Sequence, residues 1–375
     1  MKIQAAIARR ETNRFSIEDC TLEAEPRRRE VRLQMLACGI CHTDLAARDQ
    51  HLRTPLPAVL GHEGVGVIEA IGPEAADFHV GQRVLVSFGA CGDCPSCAAR
   101  APAYCRHLAR FCLQGRRLDG SSPVSQHGDP LTGHFFGQSS FATHAIASVT
   151  NLVPLDPDLP PALMVPLACG VQTGMSAMID VLAPDADSAV AVFGCGTVGL
   201  AAVMAARIAS CRRILAVDLH ENRLTLAREL GATVAVCGIE AATEPVAAWT
   251  GLSHALDTTG HPALIEHAFL HLLQPRGQLV CAGVGRPEAT LNFNHNALML
   301  SGRTLRGTIE GDADPRSFVP RMLDWFRQGQ MPLRRLVRTY PFDAINEAVA
   351  DMEAGRVVKP VLVFSPSEGL LDMNE

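Results

Sequence analysis

An apolar run, Ala189 to Phe193, meets G-C-G-T-V-G at 194 to 199 and passes directly into the helical stretch Leu200 to Ile208. A strand, a glycine turn and a helix in that order admit few folds. Gly194, Gly196 and Gly199 allow a tight turn and the close approach of a pyrophosphate, and Thr197 and Val198 open a helix whose N-terminus favours its charge. Asp218 closes the next apolar run, Ile214 to Val217. A carboxylate there accepts hydrogen bonds from a ribose diol and repels a 2′-phosphate, so NAD is expected over NADP. Arg223 falls either beside the same ribose or on the surface. Apolar runs and helical candidates continue to alternate through Arg223 to Leu230, Ala255 to Asp257, Ala263 to Leu273, Gly277 to Gly283 and Thr304 to Ile309. That alternation predicts an α/β fold with a doubly wound parallel sheet over 171 to 309.

The flanking chain has another texture. Up to about Gly170 it is rich in Gly, Pro and short β-like runs such as Val31 to Leu36, Val65 to Ile71 and Arg83 to Ser87. Beyond Gly311 come two amphipathic helices and a final strand, Pro360 to Phe364. The nucleotide-binding unit is complete by then, so 310 to 375 is expected to rejoin 1 to 170 in one β-rich domain. A chain of 375 residues, 47% hydrophobic, can bury a core in each domain. The net charge of -6 offers no basic stripe for nucleic acid. No apolar run has the length of a membrane span, and Met1 to Arg10 shows no signal-peptide pattern, so no membrane partner and a cytoplasmic location are expected.

Thirteen cysteines, an odd number with a tight local cluster, point to metal thiolates rather than a disulfide framework. Cys91, Cys94, Cys97 and Cys105 lie within fifteen residues and supply four soft ligands, the set of a closed structural zinc site; an iron–sulfur centre takes the same ligands. Cys41, His62 and Cys169 form a second, incomplete set. Two thiolates and an imidazole leave one tetrahedral position open, as catalytic zinc requires, with Asp44 and Glu63 as carboxylates that orient the imidazole and balance charge. Cys20, Cys38, Cys211, Cys237 and Cys281 are expected to be small buried hydrophobes.

Together these motifs resemble the zinc-containing medium-chain alcohol dehydrogenases over essentially the whole chain. The resemblance is carried by G-H-E-G-V-G at 61 to 66, the four-cysteine lobe, L-A-C-G-V-Q-T-G at 167 to 174, G-C-G-T-V-G and G-R-V-V-K-P at 355 to 360. C-H-T-D-L-A-A-R-D-Q at 41 to 50 and G-Q-S-S-F-A-T-H at 137 to 144 look like the aryl (benzyl) alcohol branch. The resemblance implies a GroES-like catalytic domain formed by both chain ends, a Rossmann domain, an active site in the cleft, and a homo-oligomer joined through the Rossmann sheets. It implies two zinc ions per chain and NAD. Thr43 would pass the alcohol proton, His42 and Lys359 would face the pyrophosphate, and Thr173 would lie beside the nicotinamide. Where many members carry a relay histidine, this chain has Ala46; His51 or water are the substitutes.

The expected reaction converts a primary alcohol, aromatic or allylic, to its aldehyde. Phe88, Phe135, Phe136 and Phe141 serve either as apolar walls of the pocket or as ordinary core. An aliphatic alcohol, or the glutathione adduct of formaldehyde, is the alternative substrate. A non-enzymatic zinc and nucleotide-binding protein is the alternative of another class.

Overall fold

Alternation shapes the first half of the strand Glu30–Gly39, where Val31, Leu33 and Met35 are buried while Arg32 is half-buried and Gln34 is exposed. From Leu36 every residue is buried, so the strand ends inside the protein. The computed structural model describes residues 1–365. They divide into two units: Met1–Cys169 with Asp314–Arg321 and the chain from Leu336, and Gly170–Ala313 with Met322–Arg335.

In the first unit Glu30–Gly39 is the hub of a seven-stranded sheet. Its order is Leu152–Pro154, Arg83–Val86, Glu63–Ile71, Glu30–Gly39, Lys359–Val363 and Val337–Pro341, and His144–Ser148 also pairs with the hub. Two registers converge at the end of the hub. Gly39 stands opposite both Glu63 and Val361, which brings the start of one strand and the returning C-terminal strand to the same point. A five-stranded sheet, Ala58–Val59, Lys2–Ala8, Phe15–Leu22, Val124–Gln126 and Asp129–Pro130, completes the β-rich unit. The final strand begins at Lys359, one residue before the sequence suggests. Its parallel partner Val337–Pro341 went unforeseen, because V-R-T-Y-P is short and ends in proline.

The second unit is built on six parallel strands in the order Val234–Cys237, Arg213–Asp218, Ala189–Phe193, Leu252–Asp257, Leu273–Cys281 and Thr304–Gly307. The expected α/β doubly wound sheet is therefore present. Ala189–Phe193 is buried at every residue, as a central strand covered on both faces should be. Because all six run the same way, their carboxyl ends share one edge, and the strand order reverses at Ala189–Phe193, where such sheets bind ligands. Among the described residues no single helix is long and apolar enough to cross a membrane.

Cys20, Cys38 and Cys211 are buried as expected, and Cys281 is half-buried. Cys237 corrects the expectation. It is exposed, because it ends the edge strand Val234–Cys237, whose other residues are only half-buried.

Candidate active site

Cys41 caps the helix His42–Arg48, which starts as soon as the hub strand ends. Asp44 closes this first turn by accepting from the Cys41 amide at 3.0 Å. Its other oxygen accepts from the Gly61 amide at 3.0 Å and meets His62 Nδ1 at 2.9 Å. One fully buried carboxylate thus fixes both the cysteine and the histidine. With Nδ1 engaged, Nε2 of His62 is buried and has no hydrogen-bond partner among the described residues. An unpaired buried nitrogen is costly unless something else takes it.

Cys169 reaches the same place on the far side of a short 3-10 turn, Val165–Ala168, which Ser87 Oγ anchors by donating to the Ala168 carbonyl at 2.6 Å. The ligand atoms of Cys41, His62, Glu63 and Cys169 all lie within 4.8 Å of one another. The Cys41 thiol pKa lies well below the ordinary value. Its hydrogen bond with Cys169 is the main cause, against burial, and the Lys359 charge adds to it. Cys41 Sγ also lies 3.8 Å from Thr43 Oγ1, within hydrogen-bond reach for a sulfur. Two soft sulfurs, one free imidazole nitrogen and a carboxylate are a donor set that suits zinc.

Lys359 is placed otherwise than expected. Its Nζ donates to both Glu63 oxygens, at 2.8 and 2.7 Å, and to the Ile40 carbonyl at 3.1 Å, with only 2% of the side chain exposed. It serves a buried carboxylate rather than facing a pyrophosphate. Burial works against its charge, but Glu63 and then Cys41 outweigh burial and raise its pKa above the ordinary lysine value. The cause is the returning strand, which begins at Lys359 and pairs beside Glu63 on the hub.

The imidazole of His62 is also packed. Phe136 lies over it at 4.5 Å and 30°, and Phe135 meets it edge-on at 5.9 Å. Gln138 Nε2 donates to the carbonyls of His62 at 2.8 Å and Ser87 at 2.7 Å. Phe88, Phe135, Phe136 and Phe141 all belong to one buried core cluster, with Phe136 retaining 8% exposure. Ser87 and Gln138 are not discernible as site residues in the sequence, for the bonds that tie them to the site go to carbonyls more than fifty residues away and leave no local signal. His42 and His51 are exposed and Ala46 is half-buried.

Cys91, Cys94, Cys97 and Cys105 converge separately. Their sulfurs stand 3.4 Å apart for 91 and 105, 3.5 Å for 94 and 97, 3.8 Å for 91 and 97, and 4.0 Å for 94 and 105. A tetrahedron of zinc–sulfur bonds of about 2.3 Å has edges of about 3.8 Å. The spacing suits a single ion and is too tight to enclose a multi-iron cluster, so the iron–sulfur alternative loses its support.

In the second unit the turn after Ala189–Phe193 leads into the helix Thr197–Ile208, capped by Gly196. Gly194 has φ 89°, and a Cβ on Gly199 would overlap the Gly194 carbonyl, whereas one on Gly196 would meet nothing within 4 Å. The turn is compact inside and open outside, which fits a pyrophosphate. Asp218 ends its strand 9% exposed and accepts from the amides of Cys195 at 2.6 Å, Leu219 at 2.8 Å and His220 at 2.9 Å. These bonds hold the carboxylate at the sheet edge. Arg223 Nη1 stands 3.9 Å from it with a side chain 17% exposed. Thr173, 7% exposed, donates to Glu310 Oε2 at 3.3 Å.

A β-rich unit carrying two metal-competent clusters and a Rossmann unit define a metal-dependent dehydrogenase. Residues 27–157 match the alcohol dehydrogenase GroES-like domain and residues 197–328 the zinc-binding dehydrogenase domain. Geraniol dehydrogenase of Castellaniella defragrans is 40% identical over 371 residues, covering 96% of this chain and 97% of the relative. An alcohol dehydrogenase zinc-binding domain protein of Burkholderia ambifaria superposes with TM-score 0.93 at 42% identity, covering 97% and 99% of the two chains. Benzyl alcohol dehydrogenase of Acinetobacter calcoaceticus does so with TM-score 0.91 at 37% identity, covering 97% and 100%. The chain belongs to the zinc-containing medium-chain alcohol dehydrogenase family and is a zinc-dependent alcohol dehydrogenase.

Proposed function

We propose that the protein oxidises a primary allylic or benzylic alcohol to its aldehyde, reversibly, with NAD. The observation that carries the reading is the convergence of Cys41, His62 and Cys169 around a buried imidazole nitrogen with no other partner among the described residues. In this reading these three residues hold the catalytic zinc, and Cys91, Cys94, Cys97 and Cys105 hold a structural one. When bound, the catalytic zinc supplies the Lewis acidity that makes an alcohol hydroxyl acidic near neutral pH, and NAD is the hydride acceptor.

The chain's own residues do the rest. Asp44 fixes the His62 ring by holding Nδ1, so that Nε2 would be available to the metal. Thr43 Oγ1 would accept a hydrogen bond from the alcohol hydroxyl while handing its own proton on in a relay toward the cofactor ribose and solvent. Lys359 keeps Glu63 paired, and His42 is left as the candidate for the pyrophosphate. The 194 to 199 turn holds that pyrophosphate with Thr197 and Val198 at the helix start, Asp218 takes the ribose diol with Arg223 beside it, and Thr173 borders the nicotinamide. The aromatic and allylic preference is supported by the names of the geraniol and benzyl alcohol relatives.

The partition into a catalytic domain, 1–170 with 310–375, and a cofactor domain, 171–309, belongs to the same reading, except that 310–313 and 322–335 group with the second unit. So does a homo-oligomer through the sheet edge Thr304–Gly307, beside which Leu298, Met299 and Leu300 are 40%, 58% and 79% exposed. A cytoplasmic location is supported by the cysteines, none of which is paired in a disulfide among the described residues. The test of substrate class is initial-rate oxidation of benzyl, cinnamyl, geranyl and short aliphatic alcohols with NAD. A kcat/KM at least about tenfold higher is expected for the first three, since apolar contacts beyond the carbinol supply the difference. Equal or better turnover of ethanol would overturn the proposal.

A further inference from the structure

We propose that Glu310, held in place by Thr173, biases the cofactor site toward the oxidised, cationic nicotinamide and against the reduced, neutral one. The inference rests on the proposed placement of Thr173 beside that ring. The strand Thr304–Gly307 runs parallel to the other five, so the chain after it, Thr308 to Asp312, emerges at the same carboxyl edge as the 194 to 199 turn and Asp218. There Glu310, Gly311 and Asp312 adopt φ 53°, 68° and 58° in succession. Non-glycine residues are uncommon in this left-handed region and persist there only when their surroundings over-determine them.

The surroundings are specific. A Cβ on Gly311 would lie 2.6 Å from the Thr173 carbonyl oxygen and 2.9 Å from Ser176 Cβ, so the turn is pressed against the helix Gly170–Ser176. Thr308 Oγ1 donates to one Asp312 oxygen at 2.6 Å and Arg306 pairs with the other. These contacts aim Glu310 at Thr173, whose hydroxyl it accepts at 3.3 Å. The result is an acidic group fixed on the residue that borders the nicotinamide, half-buried and so only partly screened by water. Such a charge attracts the oxidised ring, which carries a positive charge, and has no comparable hold on the reduced one. Glu310 is a positioning residue with an electrostatic effect; it takes no proton or hydride.

The test is to measure NAD and NADH affinities separately, by calorimetry and by NADH fluorescence, on zinc-loaded wild type, Glu310→Gln and Glu310→Gly. Both variants should bind NAD about three- to tenfold more weakly and change NADH affinity by no more than about twofold. Glycine is at ease at this φ, so Glu310→Gly should fold with an unlowered melting temperature. Loss of affinity for both dinucleotides in equal measure, or for neither, overturns the role of Glu310. Wild type that binds neither dinucleotide overturns the cofactor reading itself and this inference with it.

Discussion

Glu63 and Lys359 face each other with exposures of 0% and 2%, both carboxylate oxygens within 2.8 Å of the ammonium. Removing one partner of such a pair strands the other charge away from water and typically costs about 3–5 kcal/mol, whereas removing both is close to neutral. Lys359→Met should therefore lower stability by about that amount in chemical denaturation, and the double variant Lys359→Met with Glu63→Gln should recover most of it. A single variant within about 1 kcal/mol of wild type would deny the pair its role. The sequence marks both residues as parts of the site, yet the family resemblance matches Lys359 to a pyrophosphate. Nothing local reveals that G-R-V-V-K-P returns to pair beside the hub strand; that register joins residues about three hundred positions apart. Asp44 is more legible, because its bond to the Cys41 amide spans only three residues.

The lobe from Cys91 to Cys105 is readable in full, since its four ligands are close in sequence and its turns are short. It carries little hydrophobic core of its own beyond the cysteines, Ala90 and Leu108, so the metal must hold it together. Cys97→Ser is expected to lower the melting temperature by about 5 °C or more, while Cys41→Ser shifts it by no more than about 2 °C and abolishes turnover. Similar melting shifts in both variants would contradict the separation of a structural from a catalytic site. The segment from His134 to Phe141 is less legible. Its aromatic residues read equally as pocket or core, and only the folded chain shows Phe136 stacked on His62 with φ 53°. Glu310 is hidden for a related reason. Its meaning lies in a left-handed turn, which T-I-E-G-D announces only through its glycine.

Across the whole molecule, the glycine turn and the alternation that follows it make the six-stranded parallel sheet legible, because each strand and helix there repeats a local pattern. The β-rich unit is legible only in outline. Its two sheets are joined by pairings between distant segments, such as Lys359–Val363 on Glu30–Gly39, that no short window contains. Its metal sites stand out because cysteine and histidine have few other reasons to gather, and the structure brings the ligand atoms of each group within 4.8 Å of one another. The proposed chemistry depends on the open cluster at Cys41, His62 and Cys169 being a zinc site distinct from the four-cysteine lobe. Zinc content per folded chain, determined by elemental analysis on wild type and on Cys41→Ser together with NAD-linked alcohol oxidation, is the direct measurement. Two zinc ions are expected in the wild type and one in an inactive but folded Cys41→Ser; one zinc ion in both proteins, or undiminished activity in the variant, would contradict a separate catalytic zinc.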